Sequence, residues 1–287
     1  MSRTATLETP AVQTPRLKDP EFRYFQELVY REAGIHLGPQ KRDLLISRLL
    51  QRLRELALED FGAYRRLVEE DADERVRMIE RVCTHETRFF REPYQFELLE
   101  KRLIPLWLAV AEVQGPRPIR VWSAGCSTGE EPFSIAMTLL HGLPGWTVDV
   151  LATDLSNRAL ERARAAVWPA DQAREIPQHL LKKYLLKGVR SQKGWMRAAP
   201  QLREVVRFQR INLNEAAWPF DTRFDLVFCR NVLIYFDAPS RERALHRLVR
   251  HLAPGGHLFL GHAESLLGSA ERVRPVIPSV YSLTGEV

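Results

Sequence analysis

Two acidic side chains follow a glycine-containing loop near the middle of the chain. In VWSAGCSTGEEPFSIAM, Gly125 and Gly129 lie four residues apart, and Glu130 and Glu131 follow directly. Glycines let the backbone approach a ligand closely, and the N–H groups that begin the next helix point toward the loop. Two carboxylates would repel a phosphate but suit a ligand that bears an ammonium or sulfonium group. The alternative is a tight turn with two helix-start acids, which the helix dipole favours.

A third acid, Asp154, ends the next apolar stretch, WTVDVLATD, 25 residues after Gly129. An acid at a strand end can accept hydrogen bonds from both ribose hydroxyls of an adenosine. It can equally serve the helix start that Ser156 and Asn157 mark. The loop has neither GxGxxG spacing nor the Gly-Lys-Ser/Thr of a phosphate-binding loop. Together, the glycine loop with its acids and Asp154 favour S-adenosylmethionine over NAD as the ligand.

Strands and helices alternate after Gly115, around these acids. The strand-like stretches include IRVWSA, WTVDVLATD, VVRFQRINL, FDLVFCRNVLIYF and GGHLFLGH, and the end, RVRPVIPSVYSL, predicts two closing strands. Helical spacing is seen in NRALERARAAV and RERALHRLVRHL. This alternation predicts an open, mostly parallel α/β sheet.

The N-terminal part has helical spacing throughout and no convincing strand. Four helices are predicted between Glu21 and Val82. In KRDLLISRLLQRLREL, leucines form an apolar stripe, and Lys41, Arg48 and Arg52 share a different face. This pattern predicts a small all-helical unit with one basic helix.

Length and composition agree with a two-domain globular protein. The chain has 287 residues, 45% of them hydrophobic, and a net charge of +6, which suggests an acidic partner. We expect a flexible tail at 1–20, a helical domain at 21–82, a linker and connecting helix at 83–117, and an α/β domain at 118–287. A small β-subdomain is expected as an insertion at about 180–204. Neither a signal peptide nor a membrane span is indicated, so a cytoplasmic protein is expected.

Four stretches resemble the CheR family of chemotaxis receptor methyltransferases: CTHETRFFREPYQFELL, VWSAGCSTGEEPFSIAM, ATDLSNRALERAR and FDLVFCRNVLIYFD. The resemblance extends from about Phe22 to Tyr281 and includes the basic helix. It implies an N-terminal all-helical domain joined to a class I S-adenosylmethionine-dependent methyltransferase domain of Rossmann-like fold with an inserted small β-subdomain. It also implies methyl transfer to glutamate side chains in the cytoplasmic signalling domain of chemoreceptors, which leaves S-adenosylhomocysteine and glutamyl methyl esters.

The resemblance assigns roles to individual residues. The cofactor contacts that it implies are Thr87, Arg91, Glu130, Asp154, Asn212, Leu213, Asn231 and Val232. The family often has asparagine where this chain has His85, and a histidine can keep that hydrogen bond, so His85 is added as a contact. Arg91, within its motif, and Tyr235, because it follows the stretch FDLVFCRN, are the expected catalytic residues. Lys41, Arg48 and Arg52 are expected to meet acidic receptor helices.

The expected chemistry needs no general base and no metal. A glutamate carboxylate with a pKa of about 4.3 is already the nucleophile at neutral pH. The three cysteines form no CxxC pair, so no metal site is indicated. Two alternatives stay open: a methyltransferase acting on RNA or another protein, and a non-catalytic cofactor-binding adaptor of the same fold. No aromatic-interleaved RNA-binding module is found, so we expect no nucleic-acid partner, and we expect a monomer that does not insert into membranes.

Overall fold

The structure, a computed structural model, describes residues 15–83, 86–266 and 272–284. The chain divides into two compact units, Met1–Arg31 with Leu37–Val82, and Glu32–His36 with Cys83–Val287. Of the expected tail at 1–20, only residues 15–20 are described. Leu17 is buried there, and the first helix begins at Asp19.

The N-terminal unit is built from helices that each bury one apolar stripe. Its helices are α1 (Asp19–Ala33, whose last two residues belong to the second unit), α2 (Arg42–Glu55), α3 (Phe61–Glu70) and α4 (Ala72–Val82). The leucines that lie at helical spacing in α2 are buried: Leu45, Leu49 and Leu53. Asp60 caps α3, since its side chain accepts a hydrogen bond from the Ala63 backbone N–H at 2.7 Å. The predicted all-helical N-terminal part is confirmed.

The second unit contains ten strands and seven helices in the residues that the structure describes. The strands are β1 (Ile119–Ala124), β2 (Val148–Asp154), β3 (Val167–Pro169), β4 (Leu185–Lys187), β5 (Trp195–Ala198), β6 (Val206–Arg210), β7 (Phe224–Cys229), β8 (Leu252–Leu260), β9 (Val273–Ile277) and β10 (Val280–Leu283). The helices are α5 (Pro93–Leu98), α6 (Ile104–Gln114), α7 (Glu130–Gly142), α8 (Asn157–Ala165), α9 (Gln178–Tyr184), α10 (Pro200–Glu204) and α11 (Ala238–Arg250). A π-helical turn, Leu99–Leu103, joins α5 to α6.

Seven strands form the main sheet in the order β6-β2-β1-β7-β8-β10-β9. The first five strands of that order are parallel to one another, and β10 is antiparallel to both of its neighbours. Every residue of β7 is buried, as expected for a central strand covered on both faces. The predicted α/β fold with a mostly parallel sheet is confirmed.

A small antiparallel sheet in the order β3-β5-β4 forms the inserted β-subdomain. Gly188 directly follows β4 in the β4–β5 hairpin, and its backbone N–H donates to the carbonyl of Trp195, the first residue of β5, at 2.9 Å. One strand of this sheet, Val167–Pro169, precedes the expected range of 180–204. Trp168 of that strand is buried and packs edge-on against Phe89.

The stretch FDLVFCRNVLIYF does not remain a strand over its whole length. The strand ends at Cys229, and Leu233–Tyr235 forms a turn of 3-10 helix. Asn231 causes the break, since its φ of +59° is a left-handed conformation that a strand does not tolerate. Within the described residues, no helix combines the length and the apolar character needed to cross a lipid bilayer.

Candidate active site

A cavity lies in the second unit, where four adjacent parallel strands end. Residues at or just beyond the carboxyl ends of β6, β2, β1 and β7 line it: Ile211, Asn212, Leu213, Asp154, Leu155, Gly125, Ser127, Arg230, Asn231 and Val232. Open α/β sheets bind their ligands at this edge.

Most of the predicted site residues meet at this cavity. Those that line it are Thr87, Arg91, Asp154, Asn212, Leu213, Asn231, Val232 and Tyr235. His85 lies outside the described residues. Glu130 is not among the described residues that line the cavity, whereas its neighbour Glu131 is.

The glycine loop lies directly against the loop that follows β7. A Cβ atom on Gly125 would lie 2.3 Å from Cγ2 of Val232, and the φ of +92° at Gly125 also favours glycine. The backbone N–H groups of Gly125 and Cys126 both donate to the Thr153 carbonyl, at 2.8 and 2.9 Å. A side chain at position 125 would therefore separate the two loops that form the cavity wall.

Asp154 holds two loops together at the cavity. Its carboxylate accepts the backbone N–H of Ser127 at 2.8 Å and that of Ser156 at 2.9 Å. Ser156, not Asp154, caps α8, because its side chain accepts the Ala159 N–H. Asp154 is therefore fixed at the cavity wall by the backbone, and its position at the end of β2 suits a ribose contact.

The two adjacent glutamates at the start of α7 point in different directions. Glu130 is 3% exposed and accepts a hydrogen bond from Thr128 Oγ1 at 2.6 Å. Glu131 accepts one from Ser123 Oγ at 2.7 Å, and it lines the cavity. Burial raises the pKa of both carboxyls. Consecutive helical residues point about 100° apart, so the motif alone does not tell which of the two faces the ligand. The sequence predicted Glu130, and the structure instead places Glu131 at the cavity.

Arg230 forms a buried ionic cluster that the sequence analysis missed. Its side chain is 2% exposed, with Nε 3.2 Å from Glu92 Oε2 and Nη1 3.5 Å from Glu131 Oε2. Nη2 donates to the Arg91 carbonyl. Within this cluster one cation lies between two carboxylates, and Arg88 and Arg91 also line the cavity. The available signal was a charged residue directly after the apolar strand FDLVFC, since buried charges need partners.

Asn231, which lines the cavity, contains a buried acceptor. Its Oδ1 atom is buried and has no hydrogen-bond partner among the described residues. A buried acceptor without a partner is costly, so a donor on a bound ligand would stabilise it. Together with the acid Glu131, the carboxylate of Asp154 and the apolar Leu213, this group fits S-adenosylmethionine.

Three further predicted residues have protein contacts that position them. The Asn212 side chain donates to the Glu32 carbonyl and accepts the Asn214 N–H at 2.9 Å, so its amide shapes the loop after β6. Arg91 Nη1 donates to the Glu86 carbonyl at 3.1 Å. The backbone of Tyr235 accepts the N–H of His36 at 2.8 Å, which fixes the turn that carries the phenol.

The basic helix of the N-terminal unit is less open than the sequence predicted. Arg52 is 15% exposed, and its guanidinium makes two hydrogen bonds to Glu74, from Nε at 2.8 Å and from Nη2 at 2.5 Å. Burial alone would raise the pKa of Glu74, but hydrogen bonds from Arg52 and Tyr64 outweigh it and lower that pKa. Arg52 is therefore a structural ion-pair partner within this unit. Arg48 lies beside it and donates to the Arg81 carbonyl at 3.1 Å.

Comparisons with known proteins agree with this geometry. Residues 85–281 match the family description "CheR methyltransferase, SAM binding domain", and residues 20–83 match "CheR methyltransferase, all-alpha domain". The chain is 39% identical to Chemotaxis protein methyltransferase 2 of Pseudomonas aeruginosa over 264 residues. The matched region covers 91% of this chain and 92% of that protein. It is 38% identical over 276 residues to Chemotaxis protein methyltransferase of Klebsiella aerogenes, with 94% and 91% covered. The Escherichia coli protein of that name is 37% identical over 274 residues, with 93% and 92% covered.

Proposed function

Because the chain belongs to the CheR family of S-adenosylmethionine-dependent methyltransferases, we propose that it methylates glutamate side chains of a chemoreceptor. The methyl acceptors are carboxylates on the helices of the receptor's cytoplasmic signalling domain, and the products are glutamyl methyl esters and S-adenosylhomocysteine. The observation that carries this proposal is the cavity at the ends of four parallel strands, with Glu131 and Asp154 in its wall. The relatives named chemotaxis protein methyltransferase support the choice of substrate.

When bound, S-adenosylmethionine supplies a methyl group on a sulfonium, so transfer forms one O–C bond, breaks one S–C bond and moves no proton. Glu131 and Asp154, which both line the cavity, would hold the cofactor. The carboxylate of Glu131, which lines the cavity, can attract a cationic group of the cofactor. Asn231 Oδ1 offers an acceptor to a ligand donor.

The chain's contribution to the reaction is orientation. The acceptor carboxylate is ionised at neutral pH, because a glutamate pKa is about 4.3, and no side chain has to remove a proton. Arg91 and Tyr235 line the same cavity and are proposed to hold the incoming carboxylate. Aligning the two reactants in a site that excludes water favours a step in which opposite charges are neutralised.

The receptor surface that we propose is acidic. Lys41 and Arg48 of the N-terminal unit are the proposed docking cations, and Arg52 is assigned to the ion pair with Glu74. Such charges mainly raise the association rate and lose their effect at high salt. We further propose that the enzyme acts as a monomer in the cytoplasm, which sedimentation of the purified protein and cell fractionation would test.

The decisive experiment is incubation with methyl-labelled S-adenosylmethionine and purified receptor cytoplasmic domains. We expect label in methyl esters that are released by mild base. A receptor domain with its candidate glutamates replaced by glutamine is the matched control and should take up no label. Label in RNA would support the first alternative. Cofactor binding without transfer to any receptor domain or RNA would support the adaptor alternative.

A further inference from the structure

Three backbone N–H groups converge on one buried carboxylate next to the cavity. Glu264 is 6% exposed, and its Oε2 accepts the N–H of Gly261 at 2.7 Å and that of Asn231 at 2.9 Å. Its Oε1 accepts the N–H of Ile234 at 3.2 Å. Glu264 itself is not among the described residues that line the cavity. Glu264 affects the cavity through the backbone segment to which it is hydrogen-bonded.

That segment carries several site residues. Asn231, Val232 and Tyr235 all line the cavity, and Glu264 binds the backbone at both ends of the Asn231–Ile234 turn. Asn231 has a φ of +59°, a left-handed conformation that costs free energy in a residue other than glycine. A carboxylate that accepts the Asn231 N–H stabilises this conformation. The orientation of the unpaired Asn231 Oδ1 depends on it.

Gly261 leaves the space that this arrangement needs. A Cβ atom at position 261 would lie 2.6 Å from Asn231 Nδ2, 2.8 Å from the Asn231 backbone nitrogen and 2.8 Å from Glu264 Oε2. The end of β8 and the turn after β7 therefore touch at one point, where any added methyl group would push Asn231.

We propose that Glu264 is a positioning residue for the cofactor site. Its carboxylate holds the Asn231–Tyr235 turn in the conformation that binds the cofactor, although Glu264 itself does not line the cavity. The proposal rests on cofactor binding by the CheR family and does not require a receptor as the methyl acceptor. The test therefore measures cofactor binding without any receptor. A negative result would contradict the role of Glu264 and would say nothing about whether a receptor is the methyl acceptor.

The first test compares two variants, each of which replaces a buried carboxylate that accepts a backbone N–H by its amide. The variants are Glu264→Gln and, as a matched control, Asp225→Asn. Asp225 is also 6% exposed and accepts the Arg120 backbone N–H at 2.8 Å and Arg117 Nη1 at 2.6 Å. It lies at the opposite end of β7 from the cavity, so Asp225→Asn removes a comparable group away from the site. In Glu264→Gln, an amide NH2 must face at least one of the three backbone N–H groups.

Calorimetry with S-adenosylhomocysteine measures the effect. The variant disturbs the backbone of a segment that carries three cavity-lining residues, so we expect Glu264→Gln to raise the Kd by about 10-fold, the effect of losing about one hydrogen bond to the ligand. Asp225→Asn should lower the melting temperature but leave the Kd within about twofold, since it removes hydrogen bonds far from the cavity. An unchanged Kd in folded Glu264→Gln, whatever its melting temperature, would overturn the proposal and make Glu264 a structural residue only.

A second pair of variants perturbs the same contact by steric means. Gly261→Ala adds a methyl group against Asn231, whereas Gly256→Ala adds one in the middle of β8, 2.8 Å from the Ala253 carbonyl and 2.9 Å from the carbonyl of Phe224, the first residue of β7. We expect Gly261→Ala to raise the Kd and Gly256→Ala to affect only stability. If Glu264→Gln does not fold, this pair decides. An unchanged Kd in folded Gly261→Ala contradicts the proposed role.

Discussion

Replacement of Glu131 by glutamine tests which carboxylate of the adjacent pair holds the cofactor. The change removes one negative charge and retains the shape of the side chain. Ser123 Oγ, now 2.7 Å from Glu131 Oε1, keeps an oxygen to which it can donate. Arg230 remains paired with Glu92 at 3.2 Å, so no buried charge is left without a partner. The local charge of the three-residue cluster rises from −1 to zero.

The magnitude follows from the loss of one charge-assisted hydrogen bond. Such a bond contributes about 1.5–3 kcal/mol, so the Kd of S-adenosylmethionine should rise by about 10- to 150-fold. Burial raises the pKa of Glu131, and a carboxyl with a raised pKa takes up its proton as the pH falls. The affinity of the unmodified protein should therefore fall toward acid pH. The variant should show a weaker dependence.

Calorimetry with S-adenosylmethionine and S-adenosylhomocysteine provides the assay. Only the first ligand has a sulfonium, and both have an amino group. An equal loss for both ligands assigns Glu131 to the amino group, and a loss for S-adenosylmethionine alone assigns it to the sulfonium. Glu130→Gln is the matched control, because Glu130 is also buried and carboxylate-bearing but faces Thr128. We expect it to bind both ligands almost normally.

One result would refute this reasoning. If Glu130→Gln loses affinity while Glu131→Gln binds normally, the contact belongs to Glu130, as the sequence predicted. The orientation of α7 relative to the cavity would then differ from the one described.

Three further predictions concern stability, docking and transfer. Arg52→Ala removes the main partner of the buried Glu74, which keeps Tyr64 and Arg77, and should destabilise the N-terminal unit by about 1–3 kcal/mol, whereas the exposed Arg54→Ala should cost little, as denaturant unfolding would measure. Replacing Lys41 and Arg48 with alanine should raise the KM for receptor at low salt, with a difference that shrinks at high salt; an unchanged KM would make them ordinary surface residues. Tyr235→Phe should slow single-turnover transfer by about two- to tenfold with no change in its pH profile, because only a neutral hydrogen bond is lost. A loss of several thousandfold would instead indicate proton chemistry.

Much of the fold could be predicted because each element carries its own periodic pattern. The leucines of α2 recur at helical spacing, and the strands β1 and β7 are nearly continuous apolar runs, so both were recognisable. The end of β7 at Cys229 was not recognisable from the sequence, because residues with high strand propensity, such as Ile234 and Tyr235, follow it. The left-handed Asn231 that ends the strand is held by Glu264, which lies 33 residues further along the chain.

The candidate site divides in the same way. By itself, the sequence determined the residue types that a cofactor needs and the strand ends that present them. Gly125 marks the loop after one apolar strand and Asp154 ends the next, and both positions can be read from neighbouring residues alone. Only the tertiary structure decided which neighbour, Glu130 or Glu131, faces the cavity, and that Arg52 is committed to Glu74. Those outcomes depend on side chains that are distant in sequence. A local pattern specifies which groups are available, whereas packing specifies their directions and partners.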